Sequence, residues 1–409
     1  DVYKSQTVLT FAAVSLAFMG PGQRWDEALA ANKWYVLIVV LCVYWAATLL
    51  NLRGMKTSAG VTKWGTIIGT IVPGAILILL GLGYWAGGNP ILLDMSWDKL
   101  VPDMSNFNNL VLAASIFLFY AGMEMSAVHV KDVNNPGRNY PLAILISAII
   151  TVLIFVLGTL AIGFIIPNSQ INLVQSLLIT YDSYFSFFGL GWMNWILALA
   201  LAVGVLAQVT AWVGGPSKGL YQVGLAGNLP PVMQKRNKNN VQMGILLIQG
   251  GIVTLLSIMF VIMPSVQSAY QIISQLTIIL YLIMYMLMFA SGIYLRYREP
   301  NTPRTFRIPG GRTFGMWVVG GLGLLASLAA FLVSFIPPNQ ITVGSSTMYV
   351  LLLVVGTFIF AGIPFIIHAM AKPSWKRPVD PEDAFEPFGW EKSNGSHSAA
   401  TPSHSISHE

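Results

Sequence analysis

The sequence contains little charge and hardly any cysteine. Of its 409 residues only 9% are Asp, Glu, Lys or Arg, whereas about 25% are charged in ordinary soluble domains. The single cysteine, Cys42, excludes an internal disulfide and a thiolate metal site. The five histidines form no metal-ligand pair within an apolar stretch, so we expect no metal and no cofactor. Hydrophobic residues, in contrast, make up 55% of the chain, more than a soluble core needs.

Ten apolar stretches account for most of the chain. They are predicted at residues 7–19, 34–52, 66–87, 110–128, 142–166, 192–214, 243–263, 272–295, 314–336 and 348–370. Nine of them reach the roughly 17 to 25 residues that cross a bilayer. The first is too short, and the chain opens at Asp1 without the succession of residues typical of a signal peptide. We therefore expect an all-α integral membrane protein whose sequence starts partway through a helix, with further membrane segments before it.

The basic residues are distributed unevenly between the connections. Eighteen Lys and Arg residues lie in one set of alternate loops and in the tail, and three lie in the opposite set. Because cytoplasmic loops keep Lys and Arg, this bias predicts a cytoplasmic C-terminus. The net charge of +6 would also suit a nucleic-acid partner. Its dispersal among short loops, rather than on one face, favours the membrane and argues against nucleic acid.

One acidic residue, Glu124, lies inside the apolar stretches. An ionised carboxylate at membrane depth is costly unless it finds a partner or holds a proton, so it is interpreted as a functional site. Gly122 precedes it by two residues, and interrupted helices with unpaired backbone groups are where secondary transporters bind substrate. We interpret Glu124 as a residue that contacts substrate or carries a proton. The alternative is a protonated acid that bonds a nearby backbone carbonyl and has only a structural role.

Two pairs of side chains lie deep in other apolar stretches. Gln208 and Trp212 are four residues apart, as are Tyr281 and Tyr285, so each pair shares a helix face. The simpler interpretation is that such residues anchor at the membrane interface or hydrogen-bond neighbouring helices. The two tyrosines lie more than ten residues before Arg296, roughly 15 Å into the bilayer and too deep for an interfacial belt. We therefore predict that they belong to a site.

Three sequence blocks resemble the amino acid/polyamine/organocation permease family. They are FYAGMEMSAVHVKDVNNPGRNYP at 119–141, GPSKGLY at 215–221 with NLPP at 228–231, and LRYREP at 295–300 with FRIPGG at 306–311. Each block lies in or ends in a loop that the charge bias assigns to the cytoplasm. Within the family, the chain is similar to the glutamate/GABA antiporter branch of bacterial acid resistance over almost all of residues 1–371.

The resemblance implies a transporter fold with two inverted five-helix repeats and two extra helices. The ten stretches would be helices three to twelve, with the third clipped. Helix one, which supplies half of the substrate site in this family, would be missing, so this length of chain should be unable to transport by itself. Residues 1–371 would form the transmembrane domain and residues 372–409 a cytoplasmic tail.

The resemblance also implies roles for single residues. Glu124 would be the glutamate that senses or carries protons. The side chains that would line or gate the substrate path, or flank its unwound turn, are Phe119, Tyr120, Gly122, Trp212, Tyr281 and Tyr285. Gln208 departs from the pattern, because it stands where the glutamate/GABA antiporter has a second carboxylate. An amide keeps the hydrogen bonding and loses the titratable group, which leaves open which amino acids are exchanged.

The tail differs in composition from the rest of the chain, since Ser, Pro and His replace its aliphatic residues. In the antiporter branch, the tail closes the inner vestibule near neutral pH. His397, His404 and His408 gain charge on acidification and would weaken such a plug. The alternative is an untethered, solvated tail.

These observations lead to a functional hypothesis with alternatives. We expect a secondary active amino acid transporter in the bacterial inner membrane, exchanging glutamate or glutamine for GABA or a related amino acid and linked to acid resistance. The alternatives are another permease of the same superfamily with proton-coupled uptake, or a non-transporting membrane scaffold or sensor. An enzyme is not expected, because no set of nucleophile, base and metal ligands lies at membrane depth. The expected partners are small amino acids and the bilayer, with the protein as a monomer or homodimer.

Overall fold

The fold is a bundle of long helices. The computed structural model describes residues 10, 12–13, 15–16, 27–96, 109, 122–124, 127, 133–167, 171, 175–302, 304, 306–311, 313–337 and 345–377. Its longer helices are α1 (Lys33–Leu52), α2 (Met55–Thr66, Ile67–Ile71 and Val72–Ala86), α3 (Pro136–Ile165), α4 (Ser176–Phe187), α5 (Asn194–Val223), α6 (Met243–Ser257 and Met259–Ile262), α7 (Val266–Arg298), α8 (Phe314–Val333) and α9 (Ser346–Ala369). A short helix, Glu27–Ala31, precedes α1.

Eight helices of the described part are long and apolar enough to cross a membrane. Every one of the nine but α4 qualifies, and the described residues contain no strand. The expectation of an all-α membrane protein is therefore confirmed. The predicted stretches 7–19 and 110–128 lie largely outside the described residues.

Polar side chains fix where several of these helices begin. The Asn32 side chain accepts hydrogen bonds from the backbone of Trp34 and Tyr35 at the start of α1, at 3.0 and 3.2 Å. Ser265 Oγ accepts from Ser268 N at 3.1 Å at the start of α7. Such caps satisfy backbone N–H groups that have no partner within the helix.

The helices extend further than the apolar stretches predict. Lys56, Lys63, Arg138 and Lys218 were expected in loops, and the structure places all four inside helices. The expected loop at 215–221 is likewise wrong, because α5 continues through Pro216. Helix α3 has 30 residues and is about 45 Å long, so its ends project beyond a hydrocarbon core about 30 Å thick. Charged residues can therefore lie in a helix and still be in water.

Helix α2 contains a π-helical turn at Ile67–Ile71 where it crosses α5. Pro73 has no N–H, so the carbonyl of Gly69 lacks its ordinary helical donor. The Val72 N–H donates to the carbonyl of Ile67, five residues earlier and not four as in an α-helix, which widens the turn. At this turn the backbones of Gly69 and Gly204 meet directly, since a Cβ built on Gly204 would lie 2.5 Å from the Gly69 oxygen. Close contact of two glycines is typical of helix pairs in membranes.

Helix α7 is buried along its first half. Most of its residues from Val266 to Leu282 are buried, whereas most of those beyond Ile283 are at least partly exposed. It packs against α8 and α9, and its buried face joins the largest hydrophobic cluster. A side chain near the end of this buried part is held by packed helices on several sides. Tyr281 occupies that position, and Tyr285 lies one turn beyond it and is half-buried.

We predict that Gly204→Ala destabilises the protein, because the added methyl group would overlap the Gly69 backbone. The expected cost is about 1–3 kcal/mol, seen as a lower thermal midpoint in detergent. Gly251→Ala is the matched control, since Gly251 is also helical and a Cβ there meets nothing within 4 Å. An unchanged midpoint for Gly204→Ala would show that the two helices are not in close contact.

Candidate functional site

The carboxylate of Glu124 is anchored by two hydrogen bonds to one of its oxygens. The Tyr285 hydroxyl of α7 donates to Glu124 Oε2 at 2.9 Å. The backbone N–H of Gly122 donates to the same oxygen at 3.0 Å, and also approaches the Tyr285 hydroxyl at 3.3 Å. Hydrogen bonds to a charged group are stronger than neutral ones. This arrangement joins a residue of the 119–141 block to α7.

The backbone at Gly122 is irregular, as the sequence suggested. Gly122 has φ +109°, a conformation that residues with a side chain rarely adopt, and Glu124 follows in a short 3-10 turn. The Gly122 N–H therefore points to the carboxylate instead of a helical carbonyl. In a membrane, irregular backbone is tolerated only where protein or a water-filled cavity satisfies its polar groups.

The second oxygen of the carboxylate, Glu124 Oε1, is buried and has no hydrogen-bond partner among the described residues. A buried acceptor without a donor costs free energy. A protonated oxygen or a donor from a bound molecule would remove that cost. The site therefore holds one oxygen with protein donors and leaves the other for a proton or a cationic group.

Aromatic rings form a continuous column beside this carboxylate. Trp212 of α5 lies 6.3 Å from Tyr281, Tyr281 lies 5.9 Å from Tyr285, and Tyr285 lies 6.4 Å from Phe289, measured between ring centroids. The first two pairs meet edge to face, a favourable geometry for rings. The structure thus brings together three of the predicted residues. Phe289 was missed, although its spacing of four from Tyr285 places it on the same helix face.

Gln208 makes a hydrogen bond to the π-helical turn of α2. Its Nε2 donates to Thr70 Oγ1 at 3.1 Å, and both side chains are half-buried. Gln208 lies one turn before Trp212 on α5, so the amide and the aromatic column belong to one helix face. Thr70 was not predicted, because a single threonine in an apolar run carries no sequence signal.

Other predicted residues lie outside the described part of the chain, namely Phe119, Tyr120, His397, His404 and His408. Of the tail, the structure describes only its first residues. Gln234, after α5, donates from Nε2 to the Trp375 carbonyl at 2.9 Å. This contact ties the start of the tail to the α5–α6 connection. The described residues contain no group of three or more side chains that would hold a metal ion.

Comparison with known proteins gives consistent matches. The sequence profile of the amino acid permease family matches residues 5–360. An uncharacterised transporter of Legionella pneumophila is 36% identical over 360 residues, covering 88% of this chain and 76% of that protein. A glutamate/gamma-aminobutyrate antiporter of Lactococcus lactis is 32% identical over 347 residues, covering 84% of this chain and 69% of that protein. A probable agmatine/putrescine antiporter of Lactococcus lactis is 23% identical over 283 residues, covering 68% of this chain and 59% of that protein.

The geometry predicts strong coupling between Tyr285 and Glu124. In a double-mutant cycle of Tyr285→Phe and Glu124→Gln, we expect an interaction free energy of about 1 kcal/mol, the net value of a typical hydrogen bond. Equilibrium unfolding in mixed detergent and SDS micelles measures it. The control cycle pairs Tyr297→Phe with Glu124→Gln. Tyr297 lies near the C-terminal end of α7, where its hydroxyl accepts from Trp317 Nε1 and not from the Glu124 site. Additive effects within about 0.5 kcal/mol would contradict the hydrogen bond.

Proposed function

Because this chain belongs to the amino acid permease family, we propose that it is an antiporter that exchanges glutamate, or glutamine, for GABA or a related amino acid. Membership makes the chain a multi-pass membrane transporter and decides against the membrane-enzyme alternative. The name of the Lactococcus antiporter supports the substrate pair. We further propose a bacterial inner membrane location with a cytoplasmic C-terminus, on the basic-residue bias.

The observation that carries this proposal is the asymmetric bonding of Glu124. Oε2 is fixed by Tyr285 and Gly122, and Oε1 has no partner among the described residues. An amino acid brings an ammonium group that can donate to Oε1. Its carboxylate can be held by backbone N–H groups of an interrupted helix, without a positively charged side chain. The ammonium group of the amino acid is thus matched by the Glu124 side chain, and its carboxylate by backbone N–H groups.

This bonding also accounts for a link to protons. We propose that a proton occupies Oε1 when no ammonium group is bound. A substrate and a proton would then occupy the same oxygen in turn. Because proton and substrate would share one oxygen, we propose that transport by this site depends on pH.

The aromatic column is proposed to form one wall of the substrate path. Trp212, Tyr281 and Tyr285 connect α5 to α7 through ring contacts. Rings of this kind give a smooth wall that packs against the aliphatic part of an amino acid. A change in the ring of Tyr281 or Trp212 would alter the width of that path. The polar end of Tyr285 remains at the carboxylate.

Gln208 is the residue we propose to influence substrate choice. Its amide already donates to Thr70 Oγ1, and it holds no titratable proton. A neutral amide suits a neutral amide on the substrate at least as well as it suits a carboxylate. Glutamine in place of glutamate is therefore part of the proposal. A related permease with proton-coupled uptake is the second candidate, favoured only by the single carboxyl within the described site.

The test is counterflow in proteoliposomes that contain the intact transporter. With GABA inside, we expect radiolabelled glutamate or glutamine to enter at pH 5, and arginine not to enter. Glu124→Gln removes the oxygen that alternates between proton and substrate, so we expect at least a tenfold loss of flux or loss of its pH response. Cys42→Ser, on the exposed side of α1, is the matched control and should leave flux unchanged.

Uptake without an internal counter-substrate would contradict exchange and favour proton-coupled uptake. Absence of flux with every substrate would favour the scaffold alternative. Wild-type flux and pH response in Glu124→Gln would overturn the proposed role of the carboxyl group.

The tail is proposed to reduce transport near neutral pH. The hydrogen bond between Gln234 and the Trp375 carbonyl holds its first residues beside the α5–α6 connection. His397, His404 and His408 gain charge as the pH falls from 7 to 5, which would weaken a plug. Deleting residues 378–409 keeps the anchored start of the tail and should raise uptake at pH 7 severalfold, with little change at pH 5. An unchanged pH profile would show that the tail does not close the path.

A further inference from the structure

A basic pocket lies at the end of α7, in the connection to α8. Its cavity of about 540 Å³ is lined by Arg296, Asn301, Arg307, Pro309 and Gly311, with neighbouring backbone. Residues 296–312 contain five arginines and a single acid, Glu299. The pocket begins at Arg296, eleven residues after Tyr285 on α7, and has no part in the proposed exchange.

The four arginines of this connection that the structure describes fall into two groups. Arg298 donates to the Tyr294 hydroxyl at 2.7 Å. Arg304 donates to the carbonyls of Leu295 and Glu299 at 3.2 and 2.9 Å, which satisfies the C-terminal end of α7. These two side chains stabilise the connection itself.

Arg296 and Arg307 behave differently. In the part of the chain that the structure describes, neither makes a hydrogen bond or an ion pair, and both residues line the pocket. Among the described residues Glu299 forms no ion pair with either of them, and its Oε2 accepts from Thr302 at 3.4 Å. A concave surface with two unneutralised arginines favours an anionic ligand.

The surrounding aromatic residues place the pocket at the level of lipid headgroups. Tyr294, Tyr297 and Trp317 are all more than half exposed, and Trp317 Nε1 donates to the Tyr297 hydroxyl at 2.7 Å. Exposed tyrosine and tryptophan at the end of a membrane helix mark the interface between hydrocarbon and water. The charge bias assigns this connection to the cytoplasmic side, where the leaflet carries anionic lipids.

We propose that the basic pocket binds a phosphate group, with the headgroup of an anionic phospholipid as its source. The planar fork of each guanidinium matches two phosphate oxygens. Asn301 adds amide donors at the pocket wall. Gly310 and Gly311, with φ +103° and +78°, carry no side chains. The backbone of this part of the loop can therefore approach the ligand directly. Inorganic phosphate shares the chemistry and is the alternative source.

The test is native mass spectrometry of the intact, delipidated transporter with phosphatidylglycerol or phosphatidylcholine added at equal concentration. We expect retention of phosphatidylglycerol over phosphatidylcholine. The variant Arg296→Gln/Arg307→Gln should retain at least about fivefold less, since each arginine near an anionic surface contributes a factor of about five. Arg296→Lys/Arg307→Lys keeps the charge and loses the forks, so it should give an intermediate value. If the glutamine variant does not fold, the Arg296→Lys/Arg307→Lys variant still tests the proposal.

Lys235→Gln/Lys238→Gln removes the same charge from another connection and should retain lipid like the wild type. A second arm adds excess inorganic phosphate, which will displace the lipid if free phosphate is the preferred ligand and leave it bound if the headgroup is. The proposal is overturned if the arginine variant retains as much phosphatidylglycerol as the wild type. It is also overturned if Lys235→Gln/Lys238→Gln loses as much bound phosphatidylglycerol as the arginine variant, or if neither the lipid nor inorganic phosphate binds.

Discussion

A carboxylate cannot lie at membrane depth unless something satisfies it, and this constraint organises the centre of the molecule. The hydrogen bond from Tyr285 to Glu124 meets the requirement for one oxygen only. It also requires that α7 be held firmly, which the buried residues from Val266 to Leu282 provide. The remaining oxygen has no partner among the described residues and makes the site receptive to a proton or a cationic group. We propose that stability and transport both depend on this side chain.

The site also depends on irregular backbone. The positive φ of Gly122 turns an N–H toward the carboxylate. The π-helical turn of α2 presents Thr70 to Gln208 and lets Gly69 meet Gly204. Both irregularities are local departures from helix within long apolar segments. They supply polar backbone and close packing where a regular helix would offer neither.

Much of this arrangement follows from the sequence. The apolar stretches predicted eight of the nine longer helices, all but α4. The single acid within them, beside Gly122, singled out the carboxylate that Tyr285 bonds, and its role in transport stays a prediction. The i, i+4 tyrosines predicted a common helix face. Helix ends were less accurate, because apolar stretches report the width of the hydrocarbon and not where hydrogen bonding stops. Thr70 and the π-helical turn were not predictable, since they depend on Pro73 and on the approach of α5 from far along the chain.

The account rests on Glu124 presenting its second oxygen to the transported molecule. A structure of the intact transporter with a bound amino acid tests this most directly. The account predicts the ammonium nitrogen of the ligand about 3 Å from Glu124 Oε1, with the Tyr285 hydroxyl still on Oε2. A ligand bound elsewhere, with the Glu124 carboxylate directed at lipid, would contradict it.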